Sequence, residues 1–127
     1  MKPREILGLD LGEVRTGVAR GNATAGLAEP LAVIPTKDIL RELDKLVAEK
    51  GVSEVVIGLP RNLEGQDTAQ TTWVREWVAG AKAKIKPPIF WQDEALTSRS
   101  AGGDDAKAAA LILQDFLDTP EKERVSA

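Results

Sequence analysis

The chain has 127 residues, 43% of them apolar and 29% charged, which is one domain's worth of ordinary globular composition. Seventeen Lys and Arg against 20 Asp and Glu leave a formal net charge of −3, with the excess acid in the second half, so this is no basic nucleic-acid coat. Cys, His and Tyr are absent, which excludes disulfide scaffolds, thiol nucleophiles, Ser-His-Asp or Cys-His catalysis and zinc held by Cys or His.

Met1 to Arg4 leads straight into a strand-like segment rather than a signal peptide. No run approaches the roughly 18 apolar residues of a membrane span, so a soluble cytoplasmic protein without membrane contact is expected. Ile6 to Leu11 is a short apolar run closed by Gly12, and it reads as a buried strand carrying Asp10 at its C-terminal end. Thr16 to Ala19 reads as the returning arm of a hairpin, 21–29 as a small polar loop, and Leu31 to Ile34 as a third strand stopped by Pro35. Ile39, Leu40, Leu43, Leu46 and Val47 recur at helical spacing, with Thr36 or Asp38 as cap and Gly51 as the stop.

Val55 to Leu59 reads as another fully buried strand, closed by Pro60. A polar loop from Arg61 to Gln66 precedes a second helix over about residues 67–83, with Trp73 and Trp77 on its apolar face as core or subunit-interface residues. Pro87 and Pro88 reset the chain into a strand from Ile89 to Gln92 that holds Trp91 in the core and ends in Asp93-Glu94. The last helix runs from about Asp104 to Leu117, and 120–127 reads as a frayed tail. A hairpin followed by alternating strands and helices predicts a single α/β domain over 1–127, a mixed sheet of hairpin plus parallel strands flanked by helices.

With His and Cys missing, catalysis must rest on carboxylates, Lys, Arg, Ser, Thr, backbone amides or metal ions with oxygen ligands. Two strand-like segments end in acid, at Asp10 and at Asp93-Glu94, and the C-terminal ends of parallel strands form the crevice where α/β sheets bind ligands. If those strands are neighbours, the carboxylates lie close and repel unless a cation or a shared proton sits between them. Oxygen-only ligands point to Mg²⁺ or Mn²⁺. Helical phase adds a third candidate: Asp105 shares the face of Ala106, Ala109, Ile112, Leu113 and Phe116, whereas Asp104 points away. Phase alone leaves this level with a plainer role for both aspartates at a helix N-terminus. Asp10 likewise doubles as a turn residue before Gly12.

Leu7 to Gly12, with Arg15 and then Gly17-Val18-Ala19, resembles the opening signature of the YqgF/RuvX family. Val55 to Gly65 resembles its second block, Asp93 to Ser98 its Asp-Glu-Arg-Leu-Thr-Ser block, and Asp105 to Leu117 its closing helix. Four blocks in the right order, from about Ile6 to Asp118, make a specific match. The resemblance implies an RNase H-like fold and processing of the 5′ end of the 16S ribosomal RNA precursor, with Holliday junction resolution of four-way DNA as the alternative. It carries the family's carboxylates onto Asp10, Glu94 and Asp105; strand parity alone does not choose between Glu94 and Asp93.

The chemistry so implied is metal-assisted phosphodiester hydrolysis, with two Mg²⁺ or Mn²⁺ ions about 3.5–4 Å apart, Asp10 between them and Glu94 and Asp105 to either side. Arg15, Arg61, Asn62, Thr97 and Ser98 become candidate phosphate contacts, although a solvated loop charge explains Arg61 at least as well. Expected partners are RNA or branched DNA, ribosomal particles, and a second copy of the chain as a homodimer. Two departures weaken the expected grip on phosphate: Ala95 replaces the family's Arg, and only residues 99–104 separate the Thr-Ser block from Asp105 where the family carries a longer basic segment. Two rival readings remain. The Asp10 motif also resembles the phosphate-binding opening of actin-like ATPases and sugar kinases, but those need two such domains. A non-catalytic RNase H-like binding module fits the acidic charge, yet leaves three costly carboxylates without a task.

Overall fold

The computed structural model describes residues 4–95 and 105–127. Six strands form one sheet in the order β3-β2-β1-β4-β5-β6. They are β1 (Glu5–Leu11), β2 (Arg15–Asn22), β3 (Ala28–Pro35), β4 (Val52–Arg61), β5 (Ile89–Ala95) and β6 (Val125–Ser126). β1, β4 and β5 run parallel, and β2, β3 and β6 pair antiparallel. The helices are α1 (Ile39–Lys50), α2 (Ala69–Ala81) and α3 (Asp105–Asp118). This is the mixed, helix-flanked α/β sheet that the sequence predicts.

Strand alternation sorts the side chains into two cores. Leu7, Leu9 and Leu11 of β1 join Val55, Ile57 and Leu59 of β4 in a cluster with Leu43 of α1 and Val74 and Val78 of α2. Ile6, Ala19 and Val56 point the other way, onto Ala109, Ile112, Leu113 and Phe116 of α3. Trp73, Trp77 and Trp91 pack against the first cluster while staying partly exposed. Each face is dry because strand and helix patterns agree on it.

α3 lies close to the sheet because glycines leave it room. A Cβ on Gly8 would sit 2.7 Å from Leu113 Cβ, and one on Gly17 would run into the backbone carbonyl of Asp105. Gln114 of α3 ties the helix laterally: its Nε2 donates to the Gly26 carbonyl at 2.9 Å and its Oε1 accepts from the Ala28 amide at 2.9 Å.

Several boundaries differ from the sequence reading, and β4 runs from Val52 through the Pro60 expected to close it to Arg61. β2 and β3 extend further, so the loop expected over 21–29 shrinks to 23–27. β3 admits Pro30 because it is an edge strand with one free side. The tail is not frayed: after a 3₁₀ turn at Glu121–Glu123, β6 pairs with β5 through Trp91 and Val125, and the Ala127 amide donates to Ile89 O at 2.8 Å. Arg124 seats it, its guanidinium 4.3 Å above the Phe116 ring. A two-residue strand has too little pattern to be read beforehand.

Candidate active site

Asp10 lies next to last in the buried run of β1 and is only 9% exposed. Alternation with Leu9 and Leu11 turns it toward α3, together with Gly8. In the β1–β2 ladder its partner is Gly17, the residue against which the Asp105 carbonyl rests. A strand end and a helix start thus meet at one glycine.

β5 supplies the other acids, and here the sheet corrects one premise. β1 and β5 are not neighbours; β4 lies between them, so their backbones are about 10 Å apart by strand spacing. Parity separates the two candidates. Trp91 faces the α1/α2 core and Phe90 the α3 core, so Asp93 follows Trp91 and Glu94 follows Phe90. Asp93 is ion-paired with Arg61, with Nε 3.2 Å from Oδ1. Glu94 is the one that shares Asp10's face.

Asp105 is already engaged. Arg15 Nε donates to its Oδ2 at 3.1 Å, across the opening of the β1–β2 hairpin. The donor set of Asp10, Glu94 and Asp105 is all hard oxygen and suits a divalent cation such as Mg²⁺ or Mn²⁺ in chemistry. Among the described residues, however, no three acidic side chains stand close enough to hold one ion between them.

The loop arginine and asparagine have structural work. Arg61 is paired with Asp67 as well as Asp93. Asn62 Oδ1 accepts from the amides of Glu64 at 3.0 Å and Gln66 at 2.8 Å, and its Nδ2 donates to Gln66 Oε1 at 3.1 Å. That closes the turn after β4 and engages part of the donor set expected to meet phosphate. The turn and the end of β5 border an open depression of about 220 Å³ lined by Arg61, Asn62, Leu63, Gly65, Asp93 and Glu94. Thr97, Ser98, Asp104, the segment 99–104 and the side chain of Ala95 lie outside the described residues.

Thr36 is a contributor that the sequence offered only as a helix cap. Its side chain caps nothing. Instead its hydroxyl donates to Gly12 O at 2.6 Å and its amide to Val14 O at 2.9 Å. Thr16 Oγ1 lies 2.8 Å from Thr36 Oγ1 and must be the donor there, because the Thr36 proton is already used. The hairpin tip beside Asp10 is therefore pinned from the residue that follows β3. Nothing in the sequence near Asp10 signals a threonine so far along the chain.

Residues 4–119 match the family described as "RuvX: Holliday junction resolvase". A Chloroflexus aggregans protein named "Putative pre-16S rRNA nuclease" is 38% identical, covering 93% of this chain and 96% of its own. Same-named proteins of Rubrobacter xylanophilus (37%, covering 93% and 96%) and Nitratidesulfovibrio vulgaris (34%, covering 97% and 99%) are similar along nearly their whole length. Among solved structures, T. thermophilus RuvC in complex with a Holliday junction substrate superimposes with a TM-score of 0.61 at 14% identity, over 98% of this chain and 99% of that one. At that identity the likeness concerns the fold alone, and the fold is RNase H-like.

Proposed function

Because this chain belongs to the RuvX family, we propose that it is a nuclease that hydrolyses phosphodiester bonds in structured RNA, processing the 5′ end of the 16S ribosomal RNA precursor. The observation that carries this reading is the seating of Asp105 on Gly17, opposite Asp10, with Glu94 on the same face. The names of the similar proteins support the choice of RNA substrate. The family description and the RuvC-like fold favour a second substrate, four-way DNA, which two copies of the chain would have to cut symmetrically.

In this reading Asp10, Glu94 and Asp105 would hold Mg²⁺ or Mn²⁺, which would supply Lewis acidity and an activated water. The chain's own contributions are positional. β1 and β5 present two carboxylates from rigid strands, so neither loses much freedom on engaging a ligand. α3 brings the third, and its register is held by Gly8, Gly17 and Gln114. Arg15 neutralises Asp105 until substrate arrives, and then is free to meet a phosphate.

The deciding experiment compares cleavage of precursor-like RNA with cleavage of a four-way DNA junction, with Mg²⁺ or Mn²⁺, using Asp10→Asn as the blank. RNA cut by the wild type and left intact by the variant is the expected result. Equal cutting by both would remove Asp10 from the chemistry and the proposal with it.

A further inference from the structure

Four polar or charged residues are buried among the described ones: Asp10, Thr16, Thr36 and Thr71. Thr71 completes the capping box of α2. The other three gather at the β1–β2 hairpin, Asp10 and Thr16 on its two strands and Thr36 hydrogen-bonded to its tip. Thr16 is the ladder partner of Leu11 on one side and Ile34 on the other, and both of those pack in the α1/α2 core. A valine would fill that place with no hydroxyl to satisfy, and a buried hydroxyl is unfavourable unless it is bonded. Here the Thr16 hydroxyl donates to Thr36 Oγ1 at 2.8 Å, and the Thr36 hydroxyl donates to Gly12 O at 2.6 Å. A chain of two buried hydroxyls thus ends on the hairpin tip.

The tip depends on that chain. Among the described residues, Gly12, Glu13 and Val14 make no backbone hydrogen bond to one another. Their turn is tight, since a Cβ on Gly12 would run into the Arg15 carbonyl. Thr36 supplies the bonds that fix it, through its hydroxyl to Gly12 and its amide to Val14 O at 2.9 Å. Arg15 is the next residue. Its side chain is 69% exposed, yet its Nε meets Asp105 Oδ2 at 3.1 Å. A long exposed side chain keeps one contact only if its backbone is fixed, because any drift there adds to the freedom of its own torsions.

Building on the nuclease reading above, we propose that Thr36, oriented by Thr16, is the positioning residue for Arg15: it fixes the backbone from which the guanidinium meets Asp105 and, once released, a phosphate of the substrate. The two threonines touch neither partner and act through residues 12–15. Arg20 is the natural control. It lies on the same strand, at the end away from the tip, and its Nε is ion-paired with Glu5 and Glu29.

The test follows the Nε–H signals of Arg15 and Arg20 by NMR in the full chain, where both ion pairs are expected to order them in the wild type. Thr36→Val keeps the shape and removes the hydroxyl. It should lower the Arg15 order parameter and leave Arg20 as it was, and Thr36→Ser should restore Arg15. Thr16→Val, in which Thr36 keeps its bond to Gly12, should lower Arg15 by less, and it carries the same test if Thr36→Val does not fold. In cleavage of precursor-like RNA with Mg²⁺ or Mn²⁺, Thr36→Val should raise KM about tenfold, the scale of one charge-assisted hydrogen bond, with a smaller change in kcat. Added to Arg15→Gln it should raise KM no further, because the group it places is gone. An Arg15 order parameter unmoved by Thr36→Val overturns the proposal. So does an equal loss at Arg20, which would mark a general loosening. So does a KM that follows Arg15→Gln but ignores Thr36→Val, or one that multiplies in the double variant. A chain that cuts no RNA removes the nuclease reading, and the Arg15 signal then decides the placement by itself.

Discussion

Gly17 and Asp105 are 88 positions apart in the chain, and the carbonyl of the second occupies the space a side chain on the first would need. Gly17 is also the ladder partner of Asp10. One missing Cβ therefore sets how near the start of α3 comes to the carboxylate of β1.

Gly17→Ala should push the start of α3 off the sheet. The expected cost is about 1–3 kcal/mol from overpacking against backbone that cannot rotate away. Urea unfolding measures this, and activity should fall more than stability because Asp105 moves. Gly80→Ala is the opposite case, a helical glycine with open space around it. It should stabilise the protein by roughly 0.5–1 kcal/mol.

Glu94→Gln and Asp93→Asn separate the two faces of β5. Loss of the carboxylate on Asp10's face should lower cleavage by about 100-fold or more, the scale of removing a charge from a preorganised site. Loss of Asp93 breaks its ion pair with Arg61, and kcat should stay within a few-fold of wild type. The reverse order would place the site on the α1/α2 face.

Arg15→Gln removes an ion pair whose arginine side chain is 69% exposed, so unfolding free energy should change by less than about 1 kcal/mol. Substrate binding should respond more. If Arg15 leaves Asp105 for a phosphate, the slope of log affinity against log salt should shrink by about one. Binding measured over a salt series reads that slope directly.

Arg124→Ala should loosen the C-terminal strand. Its guanidinium lies over Phe116, and its Nε donates to Thr119 O at 3.1 Å. Losing both should cost about 1–2 kcal/mol and speed hydrogen exchange at the Ala127 amide before the rest of β5 opens.

Much of this protein was legible in the residue order. Asp10 stood out as an acid near the C-terminal end of an apolar run, and Asp105 because it kept phase with Ala109 and Ile112. Absent His and Cys narrowed the chemistry to oxygen ligands. These are local signals, carried by periodicity within a few residues. Which of Asp93 and Glu94 shares Asp10's face needed the sheet, since parity means nothing until Phe90 and Trp91 have been assigned to cores. The separation of β1 from β5 by β4, the capture of Asp105 by Arg15, and the pinning of the hairpin by Thr36 join residues distant in the chain. Such pairings depend on strand order and on which backbone atoms a glycine admits, and only the assembled sheet decides them.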